Sequence, residues 1–224
     1  MTATPATTQA GRGRRPWRAV GAGLLGGLAV LIALRVFVFE LYRVTSPSMV
    51  PTLLVGDWLL VDKVTHHDPI QRGDVIVFRR PEDAVASVKR VLGVPGDTVA
   101  LSASAFTLNG VPVFRAYVGE ASFDASGDQV SQAVPFPDDT LFEERIGERV
   151  WVVAQGRQGD QATGSWKIEA GTLFVAGDNR DASRDSRDPT TATVHVADVV
   201  GRVVRIVGSS GPRGIRPRGW LPVP

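Results

Sequence analysis

An uncharged, apolar run near the N-terminus limits the possible structure of this chain more than any other feature. Residues 19–34 carry no charged side chain and consist of Ala, Gly, Leu, Val and Ile. A membrane-spanning helix needs about 20 apolar residues. Arg35 can extend its guanidinium to the lipid–water interface, which lets the run continue to Phe39. The sequence therefore predicts a transmembrane helix over residues 19–39.

The charges that flank this run predict its orientation. Four arginines lie on its N-terminal side, at Arg12, Arg14, Arg15 and Arg18. Because positively charged flanks stay in the cytoplasm, residues 1–18 are predicted to be a cytoplasmic tail. The prediction is a single-pass type II protein of the plasma membrane, with an extracytoplasmic domain over residues 40–208. A cleaved secretory signal is the alternative, but no small-x-small cleavage motif follows promptly.

The extracytoplasmic part has the pattern of a mainly β domain. Short β-branched and apolar runs alternate with turn residues, and strands are predicted over residues 58–64, 74–78, 87–92, 98–101, 106–114, 150–154, 165–168, 173–176 and 194–207. Asn109-Gly110 predicts a two-residue hairpin turn, because both residues tolerate positive φ. Residues 116–147 are polar and acidic and predict an irregular insertion, within a variable region of residues 103–168. Residues 209–224 are rich in Gly, Pro and Arg and predict a disordered tail.

Composition removes several kinds of chemistry. The chain has no cysteine, which excludes thiol nucleophiles, disulfides and zinc–thiolate sites. Its formal net charge of +2 is too small to indicate a nucleic-acid-binding face. His66 and His67 are adjacent and would point to opposite faces of a strand. We therefore expect no nucleic-acid partner, no metal and no cofactor.

The first candidate functional segment is residues 46–53, which interrupts the strand pattern with small and rigid residues just after the apolar run. Ser46 and Ser48 lie two positions apart. A serine on a turn can attack a carbonyl group if a base removes its proton, and a neighbouring hydroxyl with a backbone N–H can bind the resulting oxyanion. A structural turn with capping serines is the alternative.

The second segment places Lys89 inside the apolar strand 87–92, before a Pro-Gly turn. If Lys89 points inward, burial disfavours its charged form and lowers its pKa, which would make it a usable general base. A surface lysine on an edge strand is the alternative.

The third segment, residues 177–187, follows strand 173–176 and is dense in Asp, Arg and Ser. Such a loop can bring a serine hydroxyl against a lysine amine and fix both with Asp–Arg pairs. A solvated calcium-binding loop is the alternative, but the arginines Arg180, Arg184 and Arg187 oppose cation binding.

These three segments, in this order, resemble the conserved motifs of bacterial signal peptidase I. The resemblance implies a β-barrel or β-sheet catalytic domain with one N-terminal transmembrane helix. It also implies a serine endopeptidase that removes N-terminal signal peptides from exported preproteins at the outer membrane face, after small residues at positions −1 and −3. The implied partners are those signal peptides and the lipid bilayer.

The same resemblance assigns roles to individual residues. Ser48 would be the nucleophile and Lys89 the general base, with Ser46 and the Ser48 backbone N–H as the oxyanion hole. Ser183 would orient the lysine. The residues that would brace the site are Asp178, Arg180, Arg90, Asp185 and Arg187. The residues that would line the substrate pocket are Val44, Met49 and Val88. Residues 188–195 depart from the family pattern.

Two other functions are compatible with parts of the sequence. Self-cleaving repressor-type proteases use the same Ser/Lys pair, but they lack the N-terminal apolar run and the loop 177–187. A non-enzymatic, membrane-anchored β-rich binding module would explain the apolar run and the strands, but it leaves the three ordered motifs unexplained.

Overall fold

A computed structural model describes most of the chain. The described residues are 16–64, 69–82, 84–102, 105–123, 129–130, 139–156, 163–189, 191, 193–212 and 214–224. His66, His67 and most of the predicted tail 1–18 lie outside them. The chain divides into two compact units, Met1–Val38 and Phe39–Pro224.

In the described part of the first unit there is one helix, α1, over Pro16–Phe37. Proline suits this first position, because its missing N–H would have no partner within the helix. Over the described residues, no helix combines the length and the apolar character that crossing a bilayer requires. The transmembrane helix predicted over residues 19–39 is therefore not confirmed, although α1 covers most of that range.

The second unit is mainly β. In chain order its strands are β1 (Phe39–Arg43), β2 (Asp57–Asp62), β3 (Val75–Arg79), β4 (Ala86–Gly93), β5 (Thr98–Ser102), β6 (Ala105–Leu108), β7 (Val111–Pro112), β8 (Phe114–Phe123), β9 (Gln129–Val130), β10 (Asp139–Ile146), β11 (Arg149–Gly156), β12 (Gly164–Lys167), β13 (Thr172–Ala176), β14 (Val194–His195), β15 (Val199–Gly211), β16 (Gly214–Ile215) and β17 (Leu221–Pro222). Short 3-10 helices cover Pro47–Met49 and Val196–Asp198.

The largest sheet has nine strands in the order β1-β2-β15-β3-β4-β13-β14, with β16 and β17 paired to β15. This path is open at β1 and β14, so the described strands give an open sheet and not the closed alternative of the sequence-based prediction. A buried apolar cluster that includes Met49, Leu53 and Leu59 lies against it. The mainly β class is confirmed.

Two four-stranded sheets complete the unit, in the orders β12-β5-β6-β7 and β11-β10-β8-β9. The predicted hairpin is confirmed, because Leu108 pairs with Val111 across Asn109 and Gly110, whose φ angles are 53° and 80°. Both values are positive, as the two-residue turn requires.

The irregular insertion predicted over residues 116–147 is wrong in part. Strands β8 and β10 occupy both ends of this range and pair with each other, and β10 also pairs with β11. The strand pattern was hidden because Glu144 stands at an inward position, where an apolar residue is expected. Glu144 is buried and ion-paired, which explains why a charged residue occupies an inward position.

The disordered tail predicted over residues 209–224 is also wrong over the described residues. Strand β15 continues to Gly211, and β17 returns to pair with it, with Leu221 opposite Ile206. Arg218 donates hydrogen bonds to the backbone oxygen of Thr52 (2.7 Å) and to Asp57 (3.3 Å). Composition could not reveal these partners, because they lie far away in the sequence.

Candidate active site

Ser48 lies in a short 3-10 helix, Pro47–Met49, that follows β1. Pro47 fits the first position of this helix, and Ser46 caps it by accepting a hydrogen bond from the Ser48 N–H at 3.3 Å. Met49 and Leu53 are buried in the apolar cluster and anchor the turn to it. Ser48 itself is 7% exposed. The turn thus holds Ser48 in a defined position with little exposure to solvent.

Lys89 points inward from β4 and contacts Ser48. Its Nζ donates a hydrogen bond to the Ser48 Oγ at 2.7 Å, and the residue is 6% exposed. Strand β4 is flanked by β3 and β13, so Lys89 does not stand on an edge strand. The surface-lysine alternative is therefore wrong.

Burial changes the acid–base chemistry of Lys89. The pKa of its amine falls to about 8, mainly because the buried amine loses hydration; the charges of Asp185 and Asp178 oppose the shift, and those of Arg187 and Arg80 add to it. Desolvation dominates because the protonated amine loses more hydration energy than its distant carboxylates return. A substantial fraction of the amine is therefore neutral near physiological pH.

Asp185 is the centre of the loop over residues 177–187. Its carboxylate accepts two hydrogen bonds from Arg187, at 2.7 and 2.8 Å, one from the Ser183 hydroxyl at 2.6 Å and one from the Gly177 N–H at 2.8 Å. Burial raises the pKa of Asp185, but the hydrogen bonds and charge of Arg187, with those of Ser183 and Gly177, lower it overall. Asp185 therefore remains ionised and holds the loop together.

Ser183 lies close to this centre, and its hydroxyl donates a hydrogen bond to Asp185. In the part of the chain that the structure describes, no hydrogen bond joins Ser183 to Lys89, whose amine contacts Ser48. The role of Ser183 in orienting the lysine stays a prediction.

Arg90 and Asp178 form a buried ion pair beside the site. Arg90 donates to both carboxylate oxygens of Asp178, at 2.9 and 2.8 Å, and both side chains are inaccessible to solvent or nearly so. The guanidinium also donates to the Gly73 backbone oxygen at 2.9 Å and lies 4.8 Å from the centre of the Trp151 ring. Strands β4 and β13 place Ala176, the last residue of β13, opposite Arg90. The ion pair between Arg90 and Asp178 therefore holds the start of the loop against β4.

Arg180 has a partner that the sequence analysis missed. Its guanidinium contacts Glu144 of β10, a strand outside the three motifs, and both side chains are 2% exposed. A signal was present, since Phe142, Glu144 and Ile146 share one face of a strand by the two-residue period. A carboxylate on an otherwise apolar face indicates a buried partner.

An open cleft of about 500 Å³ leads to Ser48 and Lys89. Its walls include the three predicted pocket residues Val44, Met49 and Val88, together with Ser46. Val44 and Met49 are buried, and Val88 is half-buried. The structure therefore brings the predicted pocket residues into the lining of the same cleft.

Comparison with known proteins gives consistent results. The model of the family described as signal peptidase, peptidase S26, matches residues 17–207. A signal peptidase I from Pseudomonas fluorescens is 36% identical over 178 residues, which are 71% of this chain and 58% of that protein. A signal peptidase I from Bacillus caldolyticus is 33% identical over 196 residues, or 86% of this chain and 88% of that protein. The chain thus spans little more than half the length of the Pseudomonas relative.

A solved structure with similarity to the chain is a signal peptidase I from Enterococcus faecalis V583. It is 27% identical, with a TM-score of 0.36, and the match covers 61% of this chain and 98% of that one. The family assignment rests on the sequence matches, which include most of the residues from α1 to β15. The chain belongs to the signal peptidase family, peptidase S26.

Proposed function

We propose that this protein is a type I signal peptidase, a serine endopeptidase in which Ser48 is the nucleophile and Lys89 the general base. The observation that carries the proposal is the buried 2.7 Å contact between the Lys89 Nζ and the Ser48 Oγ. A hydroxyl needs a neutral base within hydrogen-bond distance to become a nucleophile at moderate pH. Lys89 meets both conditions, because burial lowers the pKa of its amine to about 8.

The reaction proceeds in two halves. Neutral Lys89 takes the Ser48 hydroxyl proton as the Oγ attacks the carbonyl carbon, and the resulting ammonium returns that proton to the leaving amine as the peptide bond breaks. The ester on Ser48 is then attacked by a water whose proton passes to Lys89. When the ester bond breaks, that proton returns to the Ser48 oxygen, and the new carboxyl end is released.

The oxyanion formed in each half needs two hydrogen-bond donors. The Ser48 N–H and the Ser46 hydroxyl lie 3.3 Å apart at the entrance of the 3-10 helix. Their mutual hydrogen bond is long and therefore weak, so rotation of the Ser46 hydroxyl would let both groups donate to one carbonyl oxygen. The turn thus keeps both donors in the short segment that carries the nucleophile.

The substrates we propose are N-terminal signal peptides of exported preproteins, cut after small residues at positions −1 and −3. Val44, Met49 and Val88 support this, because their packed side chains leave shallow space beside Ser48.

The proposed location is the outer face of the plasma membrane. The uncharged run over residues 19–34 and the arginines before it support membrane attachment. Recovery of the full chain in a carbonate-washed membrane pellet would test the location.

The activity is tested by incubating the detergent-solubilised full chain with a preprotein that carries an Ala-x-Ala site, followed by N-terminal sequencing of the product. We expect one new N-terminus directly after that site. Ser48→Ala should abolish the product, whereas Ser102→Ala, an exposed serine on β5, serves as the matched control. Cleavage only within the enzyme's own chain would favour the self-cleaving alternative, and cleavage by Ser48→Ala would refute the proposed nucleophile.

A further inference from the structure

Gly177 packs directly against the nucleophile turn. A Cβ atom at this position would overlap the backbone oxygen of Ser48 and the side chain of Ser183. Two residues later, the Asn179 N–H donates a hydrogen bond to the same Ser48 oxygen at 3.1 Å. The backbone of residues 177–179 therefore packs against Ser48 and limits where Ser48 can lie.

Two hydrogen bonds fix the Gly177 backbone. The Gly177 N–H donates to Asp185 at 2.8 Å, and its backbone oxygen accepts a hydrogen bond from the Arg180 Nε at 3.1 Å. Asp185 and Arg180 both belong to the loop itself. The loop is also joined to β11, because the Ala154 N–H donates to the Asp178 backbone oxygen at 2.9 Å and the Arg180 N–H donates to the Ala154 oxygen at 2.8 Å. Contacts from outside the loop fix its position relative to Ser48.

Glu144 supplies such a contact. Its carboxylate binds the Arg180 guanidinium, which also lies 4.8 Å from the centre of the Phe106 ring. Glu144 lies on β10, in the sheet β11-β10-β8-β9, whereas Ser48 and Lys89 are held by the nine-stranded sheet. A buried cation without an anion is costly, so the direction of the Arg180 side chain depends on Glu144.

We propose that Glu144 is a positioning residue for peptide-bond cleavage, acting through Arg180 and the Gly177 carbonyl on the backbone of Ser48. This inference rests on the proposed function and gives the region between β8 and β11 a role in it. A displacement of about 1 Å at a reacting atom can lower a rate by about 10²-fold. Glu144 does not contact the reacting atoms, so it affects their placement and not the chemistry itself.

The test compares Glu144→Ala with Glu143→Gln in the full chain. Glu143 is the neighbouring carboxylate on β10, and it pairs with Arg145 at the surface. Turnover is measured per folded molecule, with the folded fraction taken from circular dichroism. For Glu144→Ala we expect kcat to fall by about 10-fold or more while KM changes by less than about 3-fold, because substrate contacts remain. The kcat of Glu144→Gln should lie between those of Glu144→Ala and Glu143→Gln, since an amide oxygen can still accept a hydrogen bond from Arg180.

A double variant separates positioning from stability. Replacing a buried ion pair by apolar residues of similar volume often restores stability. Glu144→Leu with Arg180→Met should therefore recover the unfolding midpoint but not kcat, because the Gly177 oxygen still lacks its donor. Recovery of kcat by the double variant, or a Glu144→Ala kcat within about twofold of the control, would overturn the inference. Failure of the proposed function itself is recognised separately, by wild-type protein that does not cleave the preprotein.

Discussion

At the scale of single residues, the property that makes Lys89 useful also makes it costly. Its pKa falls from 10.5 to about 8 because the buried ammonium loses hydration. A shift of this size corresponds to about 3 kcal/mol of differential free energy between the two protonation states. The folded protein bears this cost whenever Lys89 is protonated.

Lys89→Met should therefore stabilise the fold while abolishing cleavage. Well below pH 8 the amine is protonated in both the folded and the unfolded chain, so the free energy of unfolding of the variant should exceed that of wild type by up to about 3 kcal/mol. Between pH 8 and 10.5 the unfolded chain binds a proton that the folded chain has released, so wild type gains stability as pH rises and the difference shrinks. Urea unfolding at several pH values measures this.

Lys167→Met is the control for this measurement, because Lys167 is exposed on β12. Its effect on the free energy of unfolding should be small, because an exposed side chain loses little contact when it is replaced. A Lys89→Met variant that is less stable than wild type at pH 7 would contradict the desolvation argument.

At the scale of secondary-structure elements, the loop over residues 177–187 shows what local sequence can and cannot predict. Its density of Asp, Arg and Ser is typical of a loop that contains Asp–Arg pairs, and Asp185 pairs with Arg187 two residues away. The partner of Arg180 is Glu144, 36 residues away in the sequence and outside every motif. Composition indicates that charges will be paired, but the pairing across sheets depends on tertiary structure.

Gly177→Ala tests the close approach of this loop to the nucleophile turn. The new Cβ would overlap the Ser48 backbone oxygen and the Ser183 side chain, so one of the two segments must move. Overpacking of this kind costs about 1–3 kcal/mol of stability, and we expect the turnover per folded molecule to fall by about 10²-fold. Steady-state cleavage of the preprotein measures this loss.

Gly208→Ala on β15 is the matched control, because a Cβ at that position meets nothing within 4 Å. It should retain turnover and stability close to wild type. Wild-type turnover in Gly177→Ala would show that the loop does not set the position of Ser48.

At the scale of the whole molecule, the C-terminal segment, residues 209–224, packs against the residues that follow the nucleophile turn. Asp57 is fully buried, and its carboxylate accepts hydrogen bonds from the Leu54 N–H, the Ser209 hydroxyl and Arg218. Arg90 also donates to the Pro224 backbone oxygen at 2.6 Å. The segment predicted to be disordered thus pairs with a buried carboxylate on β2.

Arg218→Gln should destabilise the protein by about 2 kcal/mol, because it leaves the Asp57 carboxylate buried with weaker partners. Thermal unfolding followed by circular dichroism measures the change. Arg205→Gln is the control, since Arg205 is exposed and donates a hydrogen bond to the Trp220 backbone oxygen and not to a carboxylate among the described residues. Equal unfolding temperatures for the two variants would contradict this role of the segment.

Sequence patterns predicted the parts of the molecule that depend on local chemistry. The turn at Asn109-Gly110 follows from which residues tolerate positive φ, and the mainly β class follows from short alternating runs. The contact between Arg218 and Asp57 joins residues 161 positions apart, and a short Gly- and Pro-rich segment contains no signal for it. Sequence alone therefore underestimated how much of the chain supports the site.

The most direct test of the central claim is the pH dependence of kcat/KM for preprotein cleavage, measured for wild type and Lys89→Arg. If neutral Lys89 activates Ser48, the wild-type value should rise about tenfold per pH unit below pH 8 and level off above it, because the pKa of the amine is about 8. Lys89→Arg keeps the positive charge but cannot deprotonate, so it should show no cleavage across the range. A flat wild-type profile, or substantial cleavage by Lys89→Arg, would contradict the account.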